Sequence, residues 1–244
     1  MNLSDLMSAG FDINALNHAE AVLERDFPQP MAELCDILLA ITISVEELVR
    51  GGGGESPVTR RLRNALNDRG WPTRQVTIRR IVDHEERAST THKIDHVRST
   101  DSGSVALEIE WNNKDPFYDR DLENFQRLHR EGVISVGVII TRGSSLQTAL
   151  HQIVLDFAHR HHITGFDDLT TFGYSPTARQ QRDVERRLAD NDFATAWSRA
   201  FVTDKFGAST THWDKLQERV RRGVGNPCPL LLIGIPAQSV HETL

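Results

Sequence analysis

Cysteine is scarce in this 244-residue chain: Cys35 and Cys228 are the only two, too few for a disulfide framework or a cysteine-based zinc site, so both are expected as small buried apolar residues. Long apolar runs are missing as well. None approaches the ~20 residues of a membrane-spanning helix, and the first residues, MNLSDLMSAGFD, lack the basic flank and apolar stretch of a signal peptide, so the expectation is a soluble cytoplasmic protein without membrane partners. An excess of positive charge is also absent. Twenty-eight basic side chains face thirty-four acidic ones, a formal charge of −6, which excludes a wholly basic coat for nucleic acid but leaves room for a local basic groove. What remains is an ordinary globular composition, 39% hydrophobic and 25% charged, with no internal repeat and no low-complexity segment beyond four glycines, Gly51 to Gly54.

Those glycines divide the chain. Residues 1–50 read as helical, in the stretches NALNHAEAVLERDF and MAELCDILLAITISVEELVR. After the glycines, Ser56 as N-cap and Pro57 at the first helical position open a helix that Gly70 ends. The hydrophobic period then changes from 3.6 to 2. TRQVTIRRIV reads as a strand, DHEER as a charged turn, THKIDHVR as a second strand, TDSG as a tight turn and SVALEIEW as a third strand. A helix after Asp115 and Pro116, the β-branched central strand VISVGVIIT, and a helix from about Ser145 to His162 follow. The expected fold is α/β: a mixed sheet flanked by helices over residues 51–165, with a helical segment before it and a mixed extension, 166–244, packed on it as part of a single domain.

The third strand carries the chemistry. Strand alternation puts Glu108 and Glu110 on one face, and a two-residue turn at Asp101 and Ser102 would set Asp95 opposite Glu108; a turn shifted by one residue would set it opposite Glu110. Either register gathers three carboxylates about 5 Å apart, whose repulsion a divalent cation relieves, and all-oxygen donors suit Mg²⁺. A solvated face whose acids pair with arginines is the competing explanation. Glu55, at the start of the first helix of the second unit, is a fourth candidate ligand or simply a partner of the helix dipole. Lys93, two residues before Asp95, would offset charge, touch phosphate or form a cross-strand ion pair.

An Asp, a hairpin and Glu-x-Glu on the next strand, between a leading helix and a following helix and strand, resemble the PD-(D/E)xK nuclease core. More narrowly, KIDHV followed by VALEIEWNNKDPFYDRDLENFQRLHREG resembles the BglII and BamHI group of type II restriction endonucleases over about residues 51–165. The resemblance implies Asp95 and Glu108 as metal ligands, Glu110 as the water-orienting base or additional ligand, and Glu55 as the acid that some superfamily members add from the first helix. Two positions depart from the wider pattern: Glu110 stands where lysine is usual, and Ile94 where proline precedes the Asp. It further implies Mg²⁺-dependent cleavage of double-stranded DNA at a short palindromic site, leaving a 5′-phosphate, by a homodimer with a cognate DNA methyltransferase. Asn112, Asn113 and Lys114, emerging from the acidic strand, would contact DNA beside the cut, or serve as ordinary loop residues. The alternatives are a nuclease-like DNA-binding or regulatory protein without cleavage, which the missing lysine favours, and a structure-selective repair nuclease.

Overall fold

A computed structural model describes residues 2–51 and 54–242; Gly52 and Gly53, inside the glycine run expected to separate two units, lie outside the described residues. The chain opens with α1 (Leu3–Ser8), β1 (Asp12–Leu16), α2 (Ala19–Asp26), α3 (Pro28–Leu39), the two-residue β2 (Ile43–Ser44) and α4 (Val45–Val49). Two expectations are corrected here. Residues 14–16, expected to open a helix, belong instead to the strand of residues 12–16, because a partner strand from residues 230–235 offers them a ladder that outweighs local propensity. The second helical stretch breaks after Leu39 and restarts at Ser44, whose hydroxyl accepts from the Glu47 N–H while Glu47 accepts from the Ser44 N–H, a reciprocal cap that starts a new helix.

α5 (Pro57–Asp68) begins as expected: Ser56 Oγ accepts from the Thr59 N–H at 3.0 Å, and Val58, Leu62 and Leu66 are buried. Next come β3 (Arg74–Val82), β4 (Glu85–Ile94), β5 (His96–Thr100) and β6 (Gly103–Glu110). The three strands read in succession are in fact divided between two separate pairings. β3 and β4 form an isolated two-stranded ribbon, whereas β5 pairs with β6 in the main sheet. Asp95 marks the break, since its N–H bonds to the Glu108 side chain and its carbonyl accepts from Thr73 Oγ1, so neither group continues a ladder. The turn expected over residues 83–87 is tighter, with Asp83 and His84 alone in it, both at positive φ, and residues 85–87 already in β4.

The remaining elements are α6 (Phe117–Arg130), β7 (Val136–Arg142), α7 (Ser144–Arg160), α8 (Phe166–Thr170), α9 (Ala178–Arg187), α10 (Phe193–Phe206), α11 (Trp213–Arg221), β8 (Leu230–Ile235) and β9 (Val240–His241). The five-stranded sheet has the order β1-β8-β7-β6-β5; β8, β7 and β6 run parallel, and the outer strands pair antiparallel to them. Both of its faces are covered. The larger core joins α1 to α5, α7 and α10 to one face, and the smaller core joins α6 and α11 to the other, the mixed, helix-flanked α/β sheet of the sequence reading. β1 comes from residues 1–50 and the inner strand β8 from residues 166–244, so the sheet extends beyond residues 51–165 at both ends. α6 seats on β7 at Gly137, where a Cβ would stand 2.5 Å from the Phe125 ring.

Candidate active site

β6 builds the site by alternation. Val105, Leu107 and Ile109 enter the larger core, so Glu108 and Glu110 turn toward α6. Because Thr100 pairs with Gly103 and His96 with Leu107, the next position back sets Asp95 opposite Glu108, the register given by a turn at Asp101 and Ser102. The Asp95 N–H donates to Glu108 Oε2 at 3.3 Å, while the Asp95 side chain is exposed.

α6 then closes over the acids. Its buried stripe runs through Tyr118, Leu122, Phe125 and Leu128, and Asp121 lies on the same stripe with no exposed surface; Glu108 and Glu110 are each 2% exposed. Asp121 Oδ1 accepts from Arg120 Nε at 2.7 Å, and its Oδ2 is buried with no hydrogen-bond partner among the described residues. Arg120 also reaches Glu110 at 3.6 Å and stacks over Phe117, its guanidinium carbon 4.3 Å from the ring centre. Sequence reasoning missed Asp121 and Arg120. A signal for Asp121 was present, since DRDLENF places a carboxylate on the apolar stripe of an otherwise amphipathic helix.

The electrostatics follow from this crowding. Burial, followed by the charges of Asp95 and Asp121, holds the Glu108 carboxyl well above the ordinary carboxylate range. Burial and then Asp121 push Glu110 up to about 9, against the opposing pull of Asn113 and Arg120. Glu110 holds its proton near neutral pH unless positive charge is added, and Glu108 is shifted in the same direction.

His92, also missed by sequence reasoning, extends the site from β4. Its Nε2 lies 3.2 Å from Glu108 Oε1, and its Nδ1 lies 2.9 Å from the Asn124 side-chain nitrogen. Arg127 donates to Asn124 Oδ1 at 2.6 Å, which fixes the amide's orientation. Asn124 therefore donates to Nδ1, and the hydrogen-bond network assigns the imidazole proton to Nε2, where it donates to Glu108. Burial lowers the His92 pKa, with Arg120 and Arg127 adding to the effect against Asp121 and Asp95, which favours the neutral ring.

Donor atoms of His92, Glu108 and Asp121 lie within 4.8 Å of one another. A metal-bound histidine usually donates its other ring N–H, whereas His92 accepts there, so of the three it is the least suited to hold an ion. The carboxylates fit a hard divalent cation: acids that repel one another, one orphaned buried oxygen on Asp121, and one arginine as the neighbouring cation.

The other predicted residues lie around this centre. Asn113 donates from its side chain to Glu110 Oε2 at 2.8 Å, and its backbone N–H donates to Thr211 Oγ1 at 3.0 Å. Lys114 is exposed and forms a β-bridge with Thr210. Arg142, fully buried, donates to Thr210 Oγ1 and the Thr211 carbonyl, each at 2.7 Å, and so fixes the segment on which this loop rests. Asn112 is half-buried, its Oδ1 without a partner among the described residues, and faces a cleft of about 880 Å³ that Asp95, Asn113 and Glu55 also line. Glu55 stands apart from the buried acids, paired with Arg63 at 2.7 Å and Arg60 at 3.5 Å. Lys93 is exposed on β4, opposite Gln75.

No described helix is long and apolar enough to cross a membrane. No curated protein matches the sequence. The family model described as restriction endonuclease BglII/BglIII matches residues 11–235, from β1 through β8 and therefore every strand of the main sheet. Restriction endonucleases of this kind bind DNA and generally use a divalent metal, in keeping with the acid cluster between β6 and α6. The chain belongs to the BglII/BglIII family of type II restriction endonucleases, nucleases that cut DNA.

Proposed function

We propose that this enzyme hydrolyses duplex DNA at a short palindromic site in a Mg²⁺-dependent reaction that leaves a 5′-phosphate. The observation that carries the reading is the convergence of Asp95, Glu108 and Glu110 beside α6 in a chain of a DNA-cutting family. Asp95 and Glu108 would hold the ion, and Glu55 would join them only by leaving Arg60 and Arg63. Bound Mg²⁺ lowers the pKa of water, neutralises the phosphate and stabilises the leaving 3′ oxygen. The chain does the rest. Glu110 accepts the proton of the attacking water, and Asn113 and Arg120 hold its carboxylate in place. His92 donates to Glu108 and leaves the other oxygen, Oε2, on the Asp95 side. Asn112 and Asn113, which line the cleft after β6, and the exposed Lys114 and Lys93 would contact the strand being cut.

A palindrome with one cut per strand is met most simply by a two-fold dimer with one such centre per subunit, and a cognate methyltransferase protects host DNA in the same cytoplasm. The experiment is digestion of unmethylated plasmid and phage DNA with Mg²⁺ or with EDTA, followed by mapping of fragment ends. Discrete fragments in Mg²⁺ alone are expected, and Asp95→Asn or Glu108→Gln should lower cleavage by on the order of a thousand-fold while leaving binding intact. DNA that stays whole in every lane, yet is bound, would establish instead the non-cleaving reading, which Glu110 in the usual lysine position favours.

A further inference from the structure

The β3–β4 ribbon is not explained by the fold. Every residue from 79 to 91 is exposed, so the outer part of the ribbon is bare on both faces; Val76 and Ile78, near its base, pack on the smaller core. A two-stranded ribbon is marginal in water on its own, so a long bare one calls for a partner. One face presents Gln75, Thr77 and Arg79 beside their cross-strand neighbours Lys93, Thr91 and Ser89, all exposed and without a carboxylate among them. The ribbon's three acids, Asp83, Glu85 and Glu86, all lie at its tip. Arg74, Arg80 and Lys93 make no ion pair among the described residues, although the chain as a whole is acidic.

Its position gives the partner. The ribbon ends at Asp95, and its inner residue His92 already touches Glu108, so a phosphate at the catalytic acids lies at the ribbon's root. Nine residues of β3 at ~3.4 Å each span about 30 Å, close to one turn of duplex DNA, and a two-stranded ribbon fits the ~12 Å major groove. We propose that β3–β4 is an arm that lies along duplex DNA beside the cut, the outer part of its polar face toward base edges, with Lys93 at the root of that face and Arg74 and Arg80 on the opposite face reaching phosphates. This rests on the reading of the chain as a DNA-cutting enzyme.

The test measures binding to duplex DNA in EDTA as a function of salt, for the whole chain, for the triple variant Arg74→Ala, Arg80→Ala, Lys93→Ala, and for a chain in which an Asn-Gly turn replaces residues 80–88 and so keeps Ile78 on the core. The triple variant should lower the slope of log affinity against log salt by about three and weaken binding near 0.1 M salt by on the order of 100-fold, with an unchanged melting temperature. The shortened chain should bind more weakly too. Unchanged affinity and slope in both variants, with the parent still binding and cutting, would overturn the arm alone; a parent that binds no duplex would overturn the DNA-cutting reading with it. The exposed tip residues Ile81 and Val82 could instead meet a second copy of the chain. A shortened chain that loses its dimer in light scattering while each subunit keeps its DNA affinity would overturn the arm in favour of that contact.

Discussion

Asn124 decides which way His92 points its proton, and the consequence is testable one atom at a time. Asn124 can only donate to Nδ1 while Arg127 holds its oxygen, so Nε2 must donate to Glu108. Asn124→Asp replaces the donor by an acceptor, moves the proton to Nδ1 and turns a lone pair toward a carboxylate. Partners at this remove from the reacting atoms typically change metal affinity or activity by about 10- to 100-fold, and a loss of that size is expected. ¹⁵N spectra of the histidine ring, recorded without metal or DNA, should show the Nε2–H form in the parent and its loss in the variant. His92→Gln, which keeps a donor, should retain more activity than His92→Leu. An Nδ1–H ring in the parent would end the argument. None of this was legible in the sequence, because His92 and Asn124 lie thirty-two residues apart on a ribbon and a helix whose meeting is purely tertiary. Asp95, Glu108 and Glu110 were legible, because strand alternation and a two-residue turn are local rules.

At the scale of elements, the same division holds. α5, β6, α6, β7 and α7 were readable because each carries its own hydrophobic period, and α5 also its own start signal, Ser56 with Pro57. β1 was not, since DINAL becomes a strand only when LLLIGI lies beside it, 214 residues later at the Leu16–Leu230 pair. The break at Asp95 escaped for a related reason: Thr73 and the Glu108 side chain, both outside the strand, take its backbone groups. Packing between elements sets a further constraint at Gly137. Its missing side chain lets Phe125 of α6 lie against β7, and a Cβ there would also stand 3.0 Å from Leu230. Gly137→Val would force both neighbours aside and should cost roughly 2–3 kcal/mol, read as a lower urea midpoint with an unchanged slope. A variant with parental stability would mean that α6 does not rest on β7 as described. The change should also reduce cleavage, because α6 carries Asp121 and Arg120 onto the acids.

For the molecule as a whole, stability and metal binding should be linked through pH. A carboxyl whose folded-state pKa exceeds its unfolded value takes up a proton on folding. Glu110 rises from an ordinary 4.5 to about 9. Its contribution to stability is therefore full below about 4.5 and is lost as the pH climbs toward about 9, and Glu108, shifted in the same direction, adds to the loss. Since one unit is about 1.4 kcal/mol and the groups share their charges, the combined effect is on the order of a few kcal/mol. Metal-free protein should consequently melt at lower temperature at about pH 8.5 than at about pH 6. A divalent cation removes the cause of the loss, so the rise in melting temperature on adding Mg²⁺ should be larger at the higher pH. Lys205, drawn down to about 8 by burial, titrates at the upper edge of this window, and Glu110→Gln separates the two: the variant should lose much of the pH dependence that the parent shows. A parent whose melting temperature does not fall across the window, or whose Mg²⁺ stabilisation is the same at both ends, would mean that the buried acids are already neutralised within the fold, and the case for a cation between β6 and α6 would lose its electrostatic basis.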